Sequence, residues 1–174
     1  TIYSSAFLVM MVPHSIITVS LATAILPRLS ARAAEGDRRG LAHTLAGTLR
    51  AALAVVIPFA ALMPIIATDV ANVVWGHGAA ADAFTRYAPS LTLFGAGLVF
   101  FTVHYLMLRG FYALEETRTV FFIQCAVSLT NIVAAIVLVA RTDAEDTSPA
   151  LVLAYTAAYA VGSAVAGRLA DLHG

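Results

Sequence analysis

Five apolar stretches of about 20 residues or more follow one another along this chain, with short polar segments between them. A helix needs about 20 residues to cross a hydrocarbon core roughly 30 Å thick, so runs of this length point to a bilayer. The arginines sharpen the reading. The chain has no lysine, and Arg28, Arg32, Arg38, Arg39, Arg50, Arg109, Arg118 and Arg168 fall in alternate loops or at the helix ends facing them. Only Arg86 and Arg141 fall on the other side. A multi-span membrane protein sorts its cations in this way, and a soluble domain has no reason to.

Composition agrees. Hydrophobic residues make up 60% of the chain, charged residues 11%, and the mean hydropathy is +0.87. Soluble domains average about 25% charged residues. The net charge of +0 argues against nucleic acid as a partner, because phosphate binding requires a basic surface. The single cysteine, Cys125, lies in an apolar run and can form no internal disulfide.

The expected fold is all-α, a polytopic bundle with spans at about 3–27, 50–75, 84–108, 119–140 and 149–169. Pro13 should kink the first span. Residues 28–49 read as a cytoplasmic or interfacial linker. Within them Leu41, Leu45 and Leu49 recur at i,i+4, as in a helix lying in the interface plane; a solvated helical hairpin fits the same residues. The loop Gly76–Asp82 includes a Gly76-His77-Gly78 turn, and the loop Arg141–Ser148 is acidic. Counting arginines puts Thr1 outside and Gly174 inside. The chain starts within a hydrophobic segment, without Met or a basic leader, and reads as an internal piece of a larger membrane protein.

No catalytic constellation emerges. His14, His43, His77, His104 and His173 share no metal-ligand spacing, and no glycine-rich phosphate loop is present. Neither a cofactor nor a metal is expected. Gln124, Ser128 and Asn131 at i, i+4 and i+7 share one helix face. A polar face in lipid is either tied to a neighbouring helix or lines a wet cavity. His104 either lines a pathway or sits near the interface. In the fifth span Ser163 and Gly167, with Gly162 and Ala166 beside them, make a small-xxx-small pattern that permits close helix approach. No arginine or acid lies at the midplane of a span.

Two segments are distinctive. The run from Pro13 to Ser30, PHSIITVSLATAILPRLS, resembles a signature helix of the MurJ/MviN family, the lipid II flippases of the MATE-like MOP superfamily. Arg109-Gly110-Phe111-Tyr112-Ala113-Leu114, followed by Thr117-Arg118-Thr119, resembles a second family stretch. Ser15 stands where the family usually has glycine, Glu116 where it has aspartate, Val120 where it has proline, and Leu8 where some members carry arginine. The arginine-for-lysine usage resembles the actinobacterial branch. The resemblance covers nearly the whole chain and implies most of a second, C-terminal lobe, beginning at that lobe's second helix.

That resemblance implies a non-enzymatic transporter in the bacterial inner membrane, working by alternating access. Its partners would be membrane lipid, a polyprenyl-pyrophosphate-linked peptidoglycan precursor and the N-terminal lobe of the same protein. Ser20 and Thr23, an i,i+3 pair extended by Ile16 and Pro27, are then expected to line the cavity, with Gln124, Ser128 and Asn131 as further candidates. Arg28, Arg109 and Arg118 are expected at the cytoplasmic mouth, as anion contacts or as topology determinants. Two other readings remain: an exporter of another MOP substrate, such as a polysaccharide-lipid or a drug, and a non-transporting membrane module that docks cell-wall regulators through residues 28–50.

Overall fold

A computed structural model describes residues 1–77, 81 and 83–173, with 172 and 173 as backbone only. Part of the Gly76–Asp82 loop, including Gly78, the His173 side chain and Gly174 lie outside the described residues. The chain is all-α, with no strand among the described residues. Five helical runs are long and apolar enough to span a membrane: Ile2–Ala34, Arg38–Trp75, Phe84–Ala113, Thr117–Val139 and Ala144–Asp171.

The first run is one rod in three parts: α1 (Ile2–Pro13), a π-helical turn (His14–Val19) and α2 (Ser20–Ala34). Pro13 has no N–H for the carbonyl one turn back. The hydrogen-bond ladder passes into a wider π turn directly after it, a common way for a helix to absorb such a defect. α3 (Arg38–Trp75) runs unbroken for 38 residues. At 1.5 Å per residue it is about 57 Å long, nearly twice the hydrocarbon thickness. Residues 38–49 are therefore the protruding first turns of this same helix, and only residues 35–37 separate it from α2. Two further spans, α4 (Ala88–Ala113) and α5 (Thr117–Val139), lead to α6 (Thr147–His173).

The two turns at the arginine-rich end are built alike. After α2, Asp37 N donates to Arg32 O at 2.9 Å and Gly36 N to Ala33 O at 3.0 Å; after α4, Glu116 N donates to Phe111 O at 3.0 Å and Glu115 N to Tyr112 O at 3.1 Å. This helix stop requires a left-handed residue. Gly36 supplies it with φ +70°, but in the second turn Glu115 is forced to φ +60°. Asp37 caps α3 by accepting from Gly40 N at 2.8 Å, and Arg32 Nη1 meets its other oxygen at 2.6 Å. The Gly40 amide and the Arg32 guanidinium hold the Asp37 carboxyl below the usual carboxylate range. This cap is thus intact above the ordinary carboxylate pKa and lost only as pH falls through the depressed value. Glu116, at the matching place before α5, makes no capping bond, its side chain being one methylene longer.

Replacing Glu115 by glycine removes the Cβ strain of the left-handed conformation and should stabilise the α4–α5 turn by roughly 1 kcal/mol. The expected result is a higher thermal unfolding midpoint for the full-length protein in detergent. An unchanged or lowered midpoint would show that the turn carries no such strain.

α4 is the central helix. It packs on α3 along one side, on α6 along another, and on α1 and α2 along a third. α6 in turn separates α4 from most of α5. Helices in lipid gain little from burying apolar surface and associate through close packing, which favours small residues at their contacts. Ala52, Ala71, Ala154, Ala158 and Ala166 are all fully buried at such contacts. An aromatic group joins α1, α4 and α6: Phe94 lies 5.4 Å from Tyr3, 5.8 Å from Phe7 and 5.7 Å from Tyr155, ring centre to ring centre. At the end away from the arginines Trp75 stacks on Tyr87 at 4.0 Å, and Ser90 Oγ meets Ser148 Oγ at 2.8 Å.

Candidate functional site

The α1–π–α2 rod has two opposed faces. His14, Thr18, Ala22, Ile25 and Leu29 are buried against the bundle. Ile16, Ser20, Thr23, Pro27 and Arg28 are exposed on the other side. Thr23 Oγ1 donates to its own helix at Val19 O, 2.8 Å away, which satisfies the hydroxyl without a neighbour. The Ser20–Thr23 stripe is therefore open and turned away from the other helices of this chain.

The buried face carries polar groups that spacing did not single out. Thr18 and Thr102, both fully buried, pair at 3.4 Å between the π turn and α4. The His14 ring packs 4.5 Å from Phe101 and 5.2 Å from Tyr105. A signal was present in the i,i+4 series His14, Thr18, Ala22, which runs opposite to the Ser20–Thr23 stripe.

The α5 face divides. Gln124 Oε1 pairs with His104 Nε2 of α4 at 3.0 Å, so this end of the face is an interhelical hydrogen bond. Ser128 is exposed and Asn131 half-buried, and neither makes a hydrogen bond among the described residues. His104 itself is only 2% exposed, deep in the bundle rather than at an interface. α2 packs on α3 and α4 while α5 packs chiefly on α6, so the two polar faces sit on helices with different partners.

The arginines occupy three settings. Arg28 and Arg118 are exposed and make no ion pair among the described residues. Arg109 is half-buried; it donates to the Tyr105 hydroxyl, and its guanidinium lies 4.5 Å from the centre of that ring, one turn away on the same helix. A cleft of about 510 Å³ opens between the two similar turns, lined among others by Ser30, Gly36, Arg38, Tyr112 and Glu115. None of Arg28, Arg109 and Arg118 lines it; Arg38 does. Among the described residues no cluster of His, Cys, Asp or Glu could hold a metal ion.

The described residues form an all-helical bundle of five apolar spans with the Ser20–Thr23 stripe facing outward and eight of the ten arginines toward one end. Comparison with known proteins decides the family. The family model described as lipid II flippase MurJ matches residues 1–171. The chain belongs to the MurJ family. It is also similar to the lipid II flippase MurJ of Thermosipho africanus, 26% identical over 132 residues, which are 75% of this chain and 26% of that protein. The chain thus spans about a quarter of the length of that curated relative. No solved structure matches it. The MurJ family match covers both segments singled out in the sequence, the Pro13–Ser30 helix and the stretch beginning at Arg109. Five apolar spans make this MurJ-family chain a multi-pass membrane protein.

Proposed function

We propose that the chain is part of the second lobe of a lipid II flippase in the bacterial inner membrane, working by alternating access with an N-terminal lobe. The observation that carries this reading is the MurJ family match over residues 1–171. The orientation follows from the arginines, with Thr1 outside and the two similar turns in the cytoplasm. The open Ser20–Thr23 stripe then faces the translocation cavity, and Ser128 and Asn131 offer a second polar surface beyond the Gln124 anchor. The role is transport rather than enzymatic turnover, because the chemistry needed is desolvation and passage of a headgroup.

Arg28, Arg109 and Arg118 draw the pyrophosphate headgroup to the cytoplasmic mouth. Each cation near an anionic surface is worth about 1 kcal/mol, or about fivefold in occupancy. Replacing one by Gln in the full-length protein should slow growth only slightly in a strain dependent on it. Replacing all three, with normal membrane levels confirmed by blotting, should abolish complementation. Wild-type growth of the triple variant would remove these arginines from the mechanism.

A further inference from the structure

His104 sits where α4, α5 and α6 meet. Its Nε2 is committed to Gln124 Oε1 on α5 at 3.0 Å, while its Nδ1 is buried and makes no well-formed hydrogen bond, the Gly162 carbonyl being the backbone acceptor that faces the ring. Nδ1 is pressed against α6 at Gly162, where an added Cβ would stand only 2.9 Å from it and closer still to Val127 Cγ2. That gap is smaller than a methyl group, so no water fits between the ring nitrogen and the α6 backbone. The groups facing the ring are Gln124 and Val127 from α5 and Tyr159 and Gly162 from α6, the Tyr159 ring lying edge-on at 5.2 Å. Among the described residues none of these is a carboxylate or a guanidinium. A buried polar atom left without a well-formed hydrogen bond at a helix junction calls for an explanation, and a second arrangement of the helices supplies one.

We propose that His104 is a proton-binding site, sealed against α6 at Gly162 in this arrangement and opened when α6 moves off the ring. The neutral imidazole, with its proton on Nε2, is the form this packing accepts. A second proton, taken from water onto Nδ1, would place a positive charge against the α6 backbone with the poorly aligned Gly162 carbonyl as its acceptor, no counter-ion and no water, and the lost hydration outweighs that one dipole. Proton uptake therefore favours the arrangement in which α6 has shifted and water reaches Nδ1. In a lobe that rocks, this ties a proton to one side of the cycle; that coupling rests on the flippase reading, whereas the binding site itself does not.

The test uses the full-length protein in nanodiscs and in liposomes. Thermal unfolding is followed from pH 8 to pH 5 for the wild type and for His104→Gln, which keeps a donor for Gln124. The wild type should lose several degrees more than the variant on acidification. Parallel acid-induced loss in both would overturn the site. If His104→Gln does not fold, nitrogen-15 histidine spectra of the wild type decide: a buried ring that becomes doubly protonated over this range supports the site, and one that stays neutral refutes it. In liposomes, lipid II translocation by the wild type should change severalfold with an imposed pH gradient, and translocation by the variant should not. Translocation indifferent to the gradient in both would refute the coupling and leave the flippase reading standing. No translocation by either, with the His104-dependent thermal response intact, would sink the flippase reading and leave the proton site.

Discussion

Gly162→Ala should destabilise the full-length protein, whereas Gly167→Ala, one and a half turns further along the same helix, should not. A Cβ at Gly162 would run into Val127 and into the His104 ring, which stands 2.9 Å away at Nδ1. Neither neighbour gives easily. Valine is stiff at its first side-chain torsion, and the imidazole is held by Gln124. Overpacking of this kind costs about 1–3 kcal/mol. At Gly167 the nearest atom is a methionine methyl at 3.9 Å, so the variant only gains helix propensity, up to about 1 kcal/mol. Gly95→Ala should cost as well: its Cβ would stand 2.8 Å from Met63 Cγ and 2.9 Å from Met63 Cβ, atoms at the backbone end of a buried side chain that cannot swing away, with Ala60 O at 3.3 Å. Unfolding midpoints in detergent should rank Gly167→Ala above both Gly95→Ala and Gly162→Ala. A Gly162→Ala midpoint at or above that of Gly167→Ala would refute the close three-helix contact.

Phe94→Ala should be the most damaging single truncation in the aromatic core. Phe94 is 2% exposed and touches rings from α1 and α6. In a soluble protein the cost would combine a transfer term and a cavity term. In a bilayer the separated helix already has its phenyl ring in lipid, so the transfer term largely cancels. The cavity remains: roughly 100 Å³ at ~24 cal/mol per Å³ is about 2.4 kcal/mol. Phe121→Ala is the contrast. Phe121 is 63% exposed on α5, leaves no internal void, and should cost close to nothing. Comparing the unfolding of the two variants tests whether voids or greasy surface govern this bundle. Equal losses would favour surface.

The sequence was informative where a single helix decides the outcome and silent where two helices do. The spans were readable because lipid forces each backbone to satisfy itself within one segment, so apolar length alone marks them. In sequence the polar start of α3 fits an interface-plane helix or a solvated helical hairpin equally well. The α2–turn–α3 arrangement is the hairpin, because a hydrogen-bond ladder is indifferent to the polarity of the side chains around it and the helix runs on into the span. Periodicity placed Gln124, Ser128 and Asn131 on one face but could not say that Gln124 alone would find a partner. That depends on where His104 lies across the α4–α5 turn. Small residues in α6 offered two registers one residue apart; Gly162 and Ala166 are buried, while Ser163 turns to the Phe100 carbonyl at 3.1 Å. Choosing between them needs the neighbouring helices. Pro13 announced a defect in the first span but not that a π turn would absorb it, nor that His14 would be buried there.

The placement of α5 has a consequence for biogenesis. It follows α4 in the chain after a tight turn, yet its main contact is with α6, which is synthesised later. When α5 leaves the translocon it can lean on α4 only near their shared turn and through the Gln124–His104 bond, and the rest of it waits in lipid. When α6 emerges it packs beside α4 and fastens its predecessor, so quality control in the membrane meets a half-covered α5 until α6 arrives.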